Sequence, residues 1–237
     1  MPERRDFLLA LSALGLGPEA EAVDDKTIYI PAKQLETDRK VILDFIEEYS
    51  FAMLVTAKGG VHITNVPTTF DRSTEGWGKV WWHVAKGNEQ GAIFDGDTDC
   101  TVVFHGPHGY ISPNWYSGKN SVPTWNFAVV HATGKPKRID DDDAFAKSLR
   151  RLVGQNEARY GGGDVWDFAK LPDSYLKGMR QGIVAYEMTI DHVEAKFKLG
   201  HERSAADRAG VLKGLKSGPK ERNLTEFTES YYARIKD

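Results

Sequence analysis

From Phe51 onwards the chain is a succession of short apolar, β-branched runs cut by glycine- and asparagine-rich turns, and that rhythm constrains the fold more than any other feature. Phe51–Ala57 is one run, Lys58-Gly59-Gly60 a turn and Val61–Phe70 the return, which predicts a hairpin. Lys79–Val84, after the Gly76-Trp77-Gly78 turn, and Thr101–His105 read as further strands. Thr124–Ala132 with Lys135–Ile139 reads as a hairpin around Thr133-Gly134, and Ile183–Ile190 with Val193–Leu199 as a final strand pair. The stretch Gly106–Val122 reads as a long loop, and loops of that length inside a compact domain usually carry function.

Helical signals sit between and after these runs. Thr37 reads as an N-cap for a helix with Val41, Ile42, Phe45, Ile46 and Tyr49 on one face. Asn88 caps a short helix over Asn88–Asp95. The acids Asp140–Asp143 precede Phe145, Leu149, Leu152 and Val153, so they read as a helix start on the positive end of the dipole rather than as a metal site. Pro172 opens another helix, and Ser204–Leu215 and Glu221–Ile235 read as two more. The expected fold is mainly β with added helices, a β-barrel core with helical decoration.

Composition removes several function classes. A single cysteine in 237 residues excludes a disulfide scaffold and a multi-cysteine zinc site. A net charge of -3 gives no global field that invites nucleic acid, and the segment after Lys196 is only mildly basic, which argues against DNA binding. No apolar run reaches the ~18 residues that a membrane span needs. The opening segment is different in kind. Arg4-Arg5-Asp6-Phe7-Leu8 followed by an apolar run to Gly17 and by Ala20-Glu21-Ala22 resembles a twin-arginine export signal with its cleavage site. The expected organisation is a signal peptide over 1–22, one domain over 23–215 and a helical tail over 216–237, with a periplasmic location, or a cytoplasmic one if the signal does not function.

The chemistry-bearing residues do not match the common enzyme motifs. No phosphate loop, dinucleotide-binding glycine pattern or hydrolase elbow is present. His105 and His108 stand three apart, but no glutamate or second paired histidine accompanies them, so no metal site is expected. Aromatic residues gather instead: Trp81 and Trp82 before His83, then Tyr110, Trp115, Tyr116 and Trp125, with Asn126 beside the last. Aromatic faces with a few fixed polar groups suit a flat heteroaromatic ligand, and Lys86, Lys196 and Lys198 offer charge for a phosphate.

The run His105-Gly106-Pro107-His108-Gly109-Tyr110-Ile111-Ser112-Pro113-Asn114-Trp115-Tyr116, then Val122-Pro123-Thr124-Trp125-Asn126-Phe127 and Val130-His131-Ala132, closely resembles the PaiB family, the FMN-binding negative transcriptional regulators. Tyr29-Ile30-Pro31-Ala32, Trp82 to Asn88, Lys196-Phe197-Lys198-Leu199 and Ala206 to Val211 match further blocks, so the resemblance runs from about Thr27 to Leu215. It implies an FMN-binding split β-barrel, related in fold to flavin reductases and pyridoxamine-phosphate oxidases, and a homodimer with FMN in a cleft between subunits. Carried over by motif, His83, Lys86 and Asn88, next to Trp82, would hold the phosphate end. Asn65, Val66 and Thr68 would run along the isoalloxazine ring. Tyr110, Ser112, Trp115, Trp125 and Asn126 would form the wall, and Lys196 and Lys198 would close the site.

Three departures bear on that reading. The family usually has His at Asn65 and often Arg at Lys86, and its Ser-Gln-Asn after the last block is replaced by Gly200-His201-Glu202. Lysine keeps the charge but loses the two-pronged fork, and Glu202 adds an anion close to the expected phosphate. The resemblance points to an exported flavoprotein with oxidoreductase-like chemistry on a substrate the sequence does not name. A transcriptional regulator, as the family name implies, and a haem-binding split barrel are the alternatives.

Overall fold

A computed structural model describes residues 27–72, 76–118, 120–162, 166–217 and 222–234. The expected signal peptide over 1–22 lies outside the described residues. No helix among the described residues is long and apolar enough to cross a membrane.

Two antiparallel sheets face each other. The five-stranded sheet has the order β2-β1-β5-β6-β9, built from β1 (Phe51–Ala57), β2 (Val61–Pro67), β5 (Cys100–Ile111), β6 (Thr124–Gly134) and β9 (His192–Lys198). The four-stranded sheet has the order β3-β4-β8-β7, built from β3 (Thr69–Asp71), β4 (Lys79–Ala85), β7 (Lys137–Arg138) and β8 (Ile183–Thr189). Alternate residues of both sheets point at one shared core: Leu54, Val102, Phe104, Val130 and Phe197 from the first, Val80, Trp82, Val84, Tyr186 and Met188 from the second. Each large side chain buried this way contributes about 1.5–3 kcal/mol over its exposed state, which is what holds the sheets together.

The chain passes between the sheets at three tight corners, β2 to β3, β6 to β7 and β8 to β9, and through the longer stretch from β4 to β5. The expected return strand Val61–Phe70 is broken in two, because at Thr68 it leaves the first sheet and enters the second. Both the amide and the hydroxyl of Thr68 donate to the Ser50 carbonyl, at 2.8 and 2.9 Å. The expected final strand pair is likewise divided. β8 pairs with β4 and β7, β9 pairs with β6, and between them the Ile190 and Asp191 amides donate to Gly78 and Thr133. The expected hairpin around Thr133-Gly134 fails for the same reason, since β7 pairs with β8 across the corner. Gly134 makes that corner possible: a Cβ there would lie 2.2 Å from the Thr189 carbonyl oxygen.

The expected loop Gly106–Val122 is mostly strand. β5 continues to Ile111 through a register shift between His105 and His108, where Gly106 and Pro107 together oppose the single residue Ala128. This is a β-bulge, a use of Gly and Pro that their reputation as strand breakers conceals.

Among the described residues five α-helices lie against the sheets: α1 (Arg39–Glu48), α2 (Asp142–Tyr160), α3 (Asp173–Gly182), α4 (Ala205–Ser217) and α5 (Arg222–Tyr232). The cap of α1 is Asp38 rather than Thr37, its carboxylate accepting from the Lys40 and Val41 amides. Asp141 caps α2 in the expected manner. α2 and α3 cover the outer face of the four-stranded sheet, burying Phe145, Leu149, Phe168 and Ala185. α1 and α5 pack onto the inward-facing Phe197 through Phe45 and Phe227, and Leu224 and Thr228 of α5 are fully interior.

Candidate functional site

Among the described residues no helix lies over the outer face of the five-stranded sheet. Residues opposite one another in the ladders share a face, so His105, Val129 and Lys196 form one row, His108, Phe127 and Lys198 the next, and Tyr110 and Trp125 the last. Phe51, Val61, Ile63, Tyr110 and Trp125 stand between 47% and 71% exposed on it. Tyr110 packs edge-on to Trp125 with ring centroids 6.2 Å apart, and His108 lies 6.3 Å from the same indole. The stretch from Thr27 to Leu35 crosses the β9 edge: Lys196 Nζ donates to the Tyr29 carbonyl at 2.8 Å, and Lys198 Nζ donates to Thr124 Oγ1 at 2.7 Å. Burial lowers the pKa of both lysines, and the Lys198 charge lowers that of Lys196 further. Both ammonium groups are thus short of solvent and gain from an anion. Burial, and then the neighbouring His108, hold His105 below the ordinary imidazole value.

A second set of candidates lies across the molecule. Asn65 is exposed on β2, at the opposite edge of the sheet from β9. Asn88 caps the short turn of helix Glu89–Ile93 through the Gln90 amide, and its side-chain amide donates to Thr64 Oγ1 at 3.0 Å. Beneath it the buried Gln90 joins that turn to both hairpin strands, donating to the Leu54 and His62 carbonyls and accepting from Thr64. This hub went unnoticed in the sequence, where a lone Gln after a cap carries no signal. Lys86 is exposed two residues before Asn88, and half-buried His83, on the helix-covered side of β4, is pushed below the ordinary imidazole value by desolvation.

The remaining candidates sit inside the protein. Val66 and Trp82 belong to the core, with the Trp82 ring stacked near Tyr186 and set edge-on to Phe94. Thr68 holds the strand corner. Ser112 caps the turn Pro113–Trp115, and the Trp115 ring fills the space left by Gly214 of α4, since a Cβ there would sit 2.2 Å from it. Asn126 is 2% exposed and donates to the Leu199 carbonyl at 2.8 Å, an oxygen that Tyr232 also reaches at 2.6 Å. Asn126 therefore fixes the turn that begins at Gly200, where φ is +72°.

The two exposed sets are separated by the width of the sheet. β2 and β9 are its opposite edges, and four strand spacings put the β9 edge, with Lys196 and Lys198, ~19 Å across the sheet from the Asn65 edge. Clefts of ≈ 380 Å³ between α1 and α5 and of ≈ 270 Å³ beside Trp81 hold none of the fourteen candidates. The candidates that reach solvent thus lie mainly on an open, aromatic, cation-edged face.

The family profile described as "Putative FMN-binding domain" matches residues 28–192. The protease synthase and sporulation protein PAI 2 of Bacillus subtilis is 32% identical over 205 residues, spanning 85% of this chain and 97% of that one. The chain belongs to the PaiB family. FMN is the cofactor of this PaiB-type protein, and the open face fits it. Tyr110, Trp125 and Phe127 offer apolar surface to a flat ring, and Lys196 and Lys198 offer charge to a phosphate. Among solved structures, a flavocytochrome of Azotobacter vinelandii superposes with a TM-score of 0.54 at 16% identity, over 81% of this chain and 82% of that one. An FAD and heme binding protein of Mycobacterium smegmatis gives 0.51 at 15%, over 70% and 73%. At such identities the likeness concerns the fold, and it supports the split-barrel reading of the PaiB chain.

Proposed function

We propose that the chain is an FMN-dependent oxidoreductase that works as a homodimer, with each FMN held between the open faces of two protomers. The observation that carries this reading is the ~19 Å width of the sheet, which separates Asn65 at one edge of the open face from Tyr110, Trp125, Lys196 and Lys198 towards the other, with Lys86 and Asn88 beside the Asn65 edge. Neither set surrounds a ligand alone. In a two-fold dimer each would meet the other set from the second copy. Asn65, Lys86 and Asn88 of one chain would then face Tyr110, Trp125, Lys196 and Lys198 of its partner, with Val66, Thr68, Ser112, Trp115 and Asn126 holding those residues in place from within. His83 and Trp82 would support the phosphate end from β4. FMN supplies the redox chemistry; the chain binds it, orients it and excludes water from one ring face. The segment 1–22 would direct export, and sequencing of the mature amino terminus tests it: Val23 supports export, intact Met1 overturns it.

Subunit mixing tests the shared site. Lys86→Ala and Trp125→Ala should each weaken FMN binding, while Lys135→Ala, distant from both sets, should not. If each site draws on both chains, unfolding and refolding the two weak variants together regenerates about one intact site in four, because half the dimers are mixed and each mixed dimer has one undamaged site. Flavin fluorescence quenching reads this out. A mixture that binds FMN only as the average of its components overturns the shared site. A Soret band in the purified protein would overturn the flavin assignment in favour of haem.

A further inference from the structure

The β5 bulge does something that a regular strand cannot. In an unbroken strand residues three apart project to opposite faces, because side chains alternate with a period of two. Here His105 pairs with Val129 and His108 with Phe127, and Gly106 with Pro107 fills the single step between them. The extra residue turns both imidazoles to the same exposed face, with ring centroids 5.0 Å apart and planes at 78°. The chain accommodates this tightly: a Cβ on Gly106 would lie 2.5 Å from Phe45 Cζ, so the strand can kink here only with glycine. Pro107 costs the ladder nothing at a position where the ladder is already interrupted.

That spacing suits chelation. A zinc-like ion sits ~2.0–2.1 Å from an imidazole nitrogen, hence ~3.2 Å from the ring centroid. Two rings meeting one ion at an angle between square and tetrahedral then have centroids ~4.5–5.2 Å apart, a range that includes the observed pair. Among the described residues no group of three or more His, Cys, Asp or Glu is placed to hold a metal, so the pair would leave further coordination positions open to water or a ligand. Lys196 and Lys198 stand two strands away, ~10 Å, about one Debye length at ordinary salt, and oppose a cation only weakly.

We propose that His105 and His108 form a two-histidine chelate for a borderline divalent cation of the zinc, nickel and copper class. The ion would be bound to the open face beside Trp125, with exchangeable ligands completing its shell. Imidazole pairs favour these ions over magnesium or calcium, which take oxygen ligands. The site goes beyond the flavin reading and does not require the dimer.

The test uses the full chain, freed of metal by a chelator and titrated with Zn²⁺ by calorimetry and with Cu²⁺ by electron paramagnetic resonance. One Zn²⁺ per chain is expected, with nitrogen hyperfine structure from two imidazoles in the copper spectrum. His105→Asn and His108→Asn should each weaken the site at least tenfold, and the double variant should lose it. His192→Asn, an exposed histidine on β9, should leave it unchanged. Equal metal affinity in the double variant would assign the binding to other histidines or the amino terminus and overturn the proposal, as would no binding at all. Circular dichroism and flavin content, measured on the same samples, report folding and the FMN site separately, so a failure here is distinguishable from a failure of the flavin reading.

Discussion

The two sheets have the same antiparallel construction and share one core, yet their outer faces are finished in opposite ways. The four-stranded sheet turns Trp81 and Ala185 outward and meets α2 and α3, which seal that side with Phe145, Leu149 and Phe168. The five-stranded sheet turns Phe51, Ile63, Tyr110 and Trp125 outward and leaves them to solvent. A single chain that buries one apolar sheet face and exposes another of equal character has not run short of helices, since α4 and α5 pack elsewhere. Exposed apolar surface on this scale marks an interaction site. The sealed face maintains the fold, and the open face is the one to which the proposed function is assigned.

That contrast can be broken experimentally, beginning with the sealed side. Phe145→Ala removes a ring that is 3% exposed and should cost about 3–5 kcal/mol of stability, read as a lowered urea midpoint with little change in slope. A loss under ~1 kcal/mol would mean that α2 is a loose cover. On the open side Ile63→Asp should leave the stability of the fold within ~0.5 kcal/mol. It should nevertheless weaken self-association at least tenfold in sedimentation equilibrium, because it places an unpaired carboxylate in an apolar contact. A strongly destabilised monomer would show that the face is core after all. The smallest effect concerns the sheet between the two environments. Cys100 lies on the inner side of β5, fully buried, and burial pushes its thiol from 9.0 up to about 12. Above pH 9.0 the unfolded chain releases a proton that the folded chain retains, so this contribution to stability is complete below that pH and is lost as pH rises towards 12. Rapid labelling of native protein by a thiol reagent at pH 8 would show that the inner side is not sealed.

Much of the fold was legible in local pattern, and most of what was missed concerns partners. The first hairpin, the Asn88 cap and the acidic start of α2 follow from propensity and capping, which act within a few residues. Alternation identifies Ile183–Ile190 and Val193–Leu199 as strands but cannot say that a two-residue corner sends them to different sheets. Gly106-Pro107 read as the start of a loop because both residues weaken a ladder, and only the opposing Ala128 shows that they occupy a bulge. The candidate residues divide in the same way. Tyr110, Trp125, Lys196 and Lys198 meet on one face, as their aromatic and cationic character suggested. Trp82, Trp115 and Asn126 carry the same chemistry in the sequence yet serve the interior, because a ring looks alike whether it faces a ligand or a helix glycine. The pattern Val61-x-Ile63-x-Asn65 was the available sign that β2 shows an apolar edge outward.

The corner at Thr68 has a mechanical consequence. One carbonyl, that of Ser50, clasps the residue at which the chain steps from one sheet to the other, so β2 and β3 are a single strand bent over a pin. Neither sheet can peel away without drawing on the other through that joint. Amide exchange in the two sheets should therefore report one opening event, with the β2 and β3 amides released together, even though one sheet is armoured and the other bare.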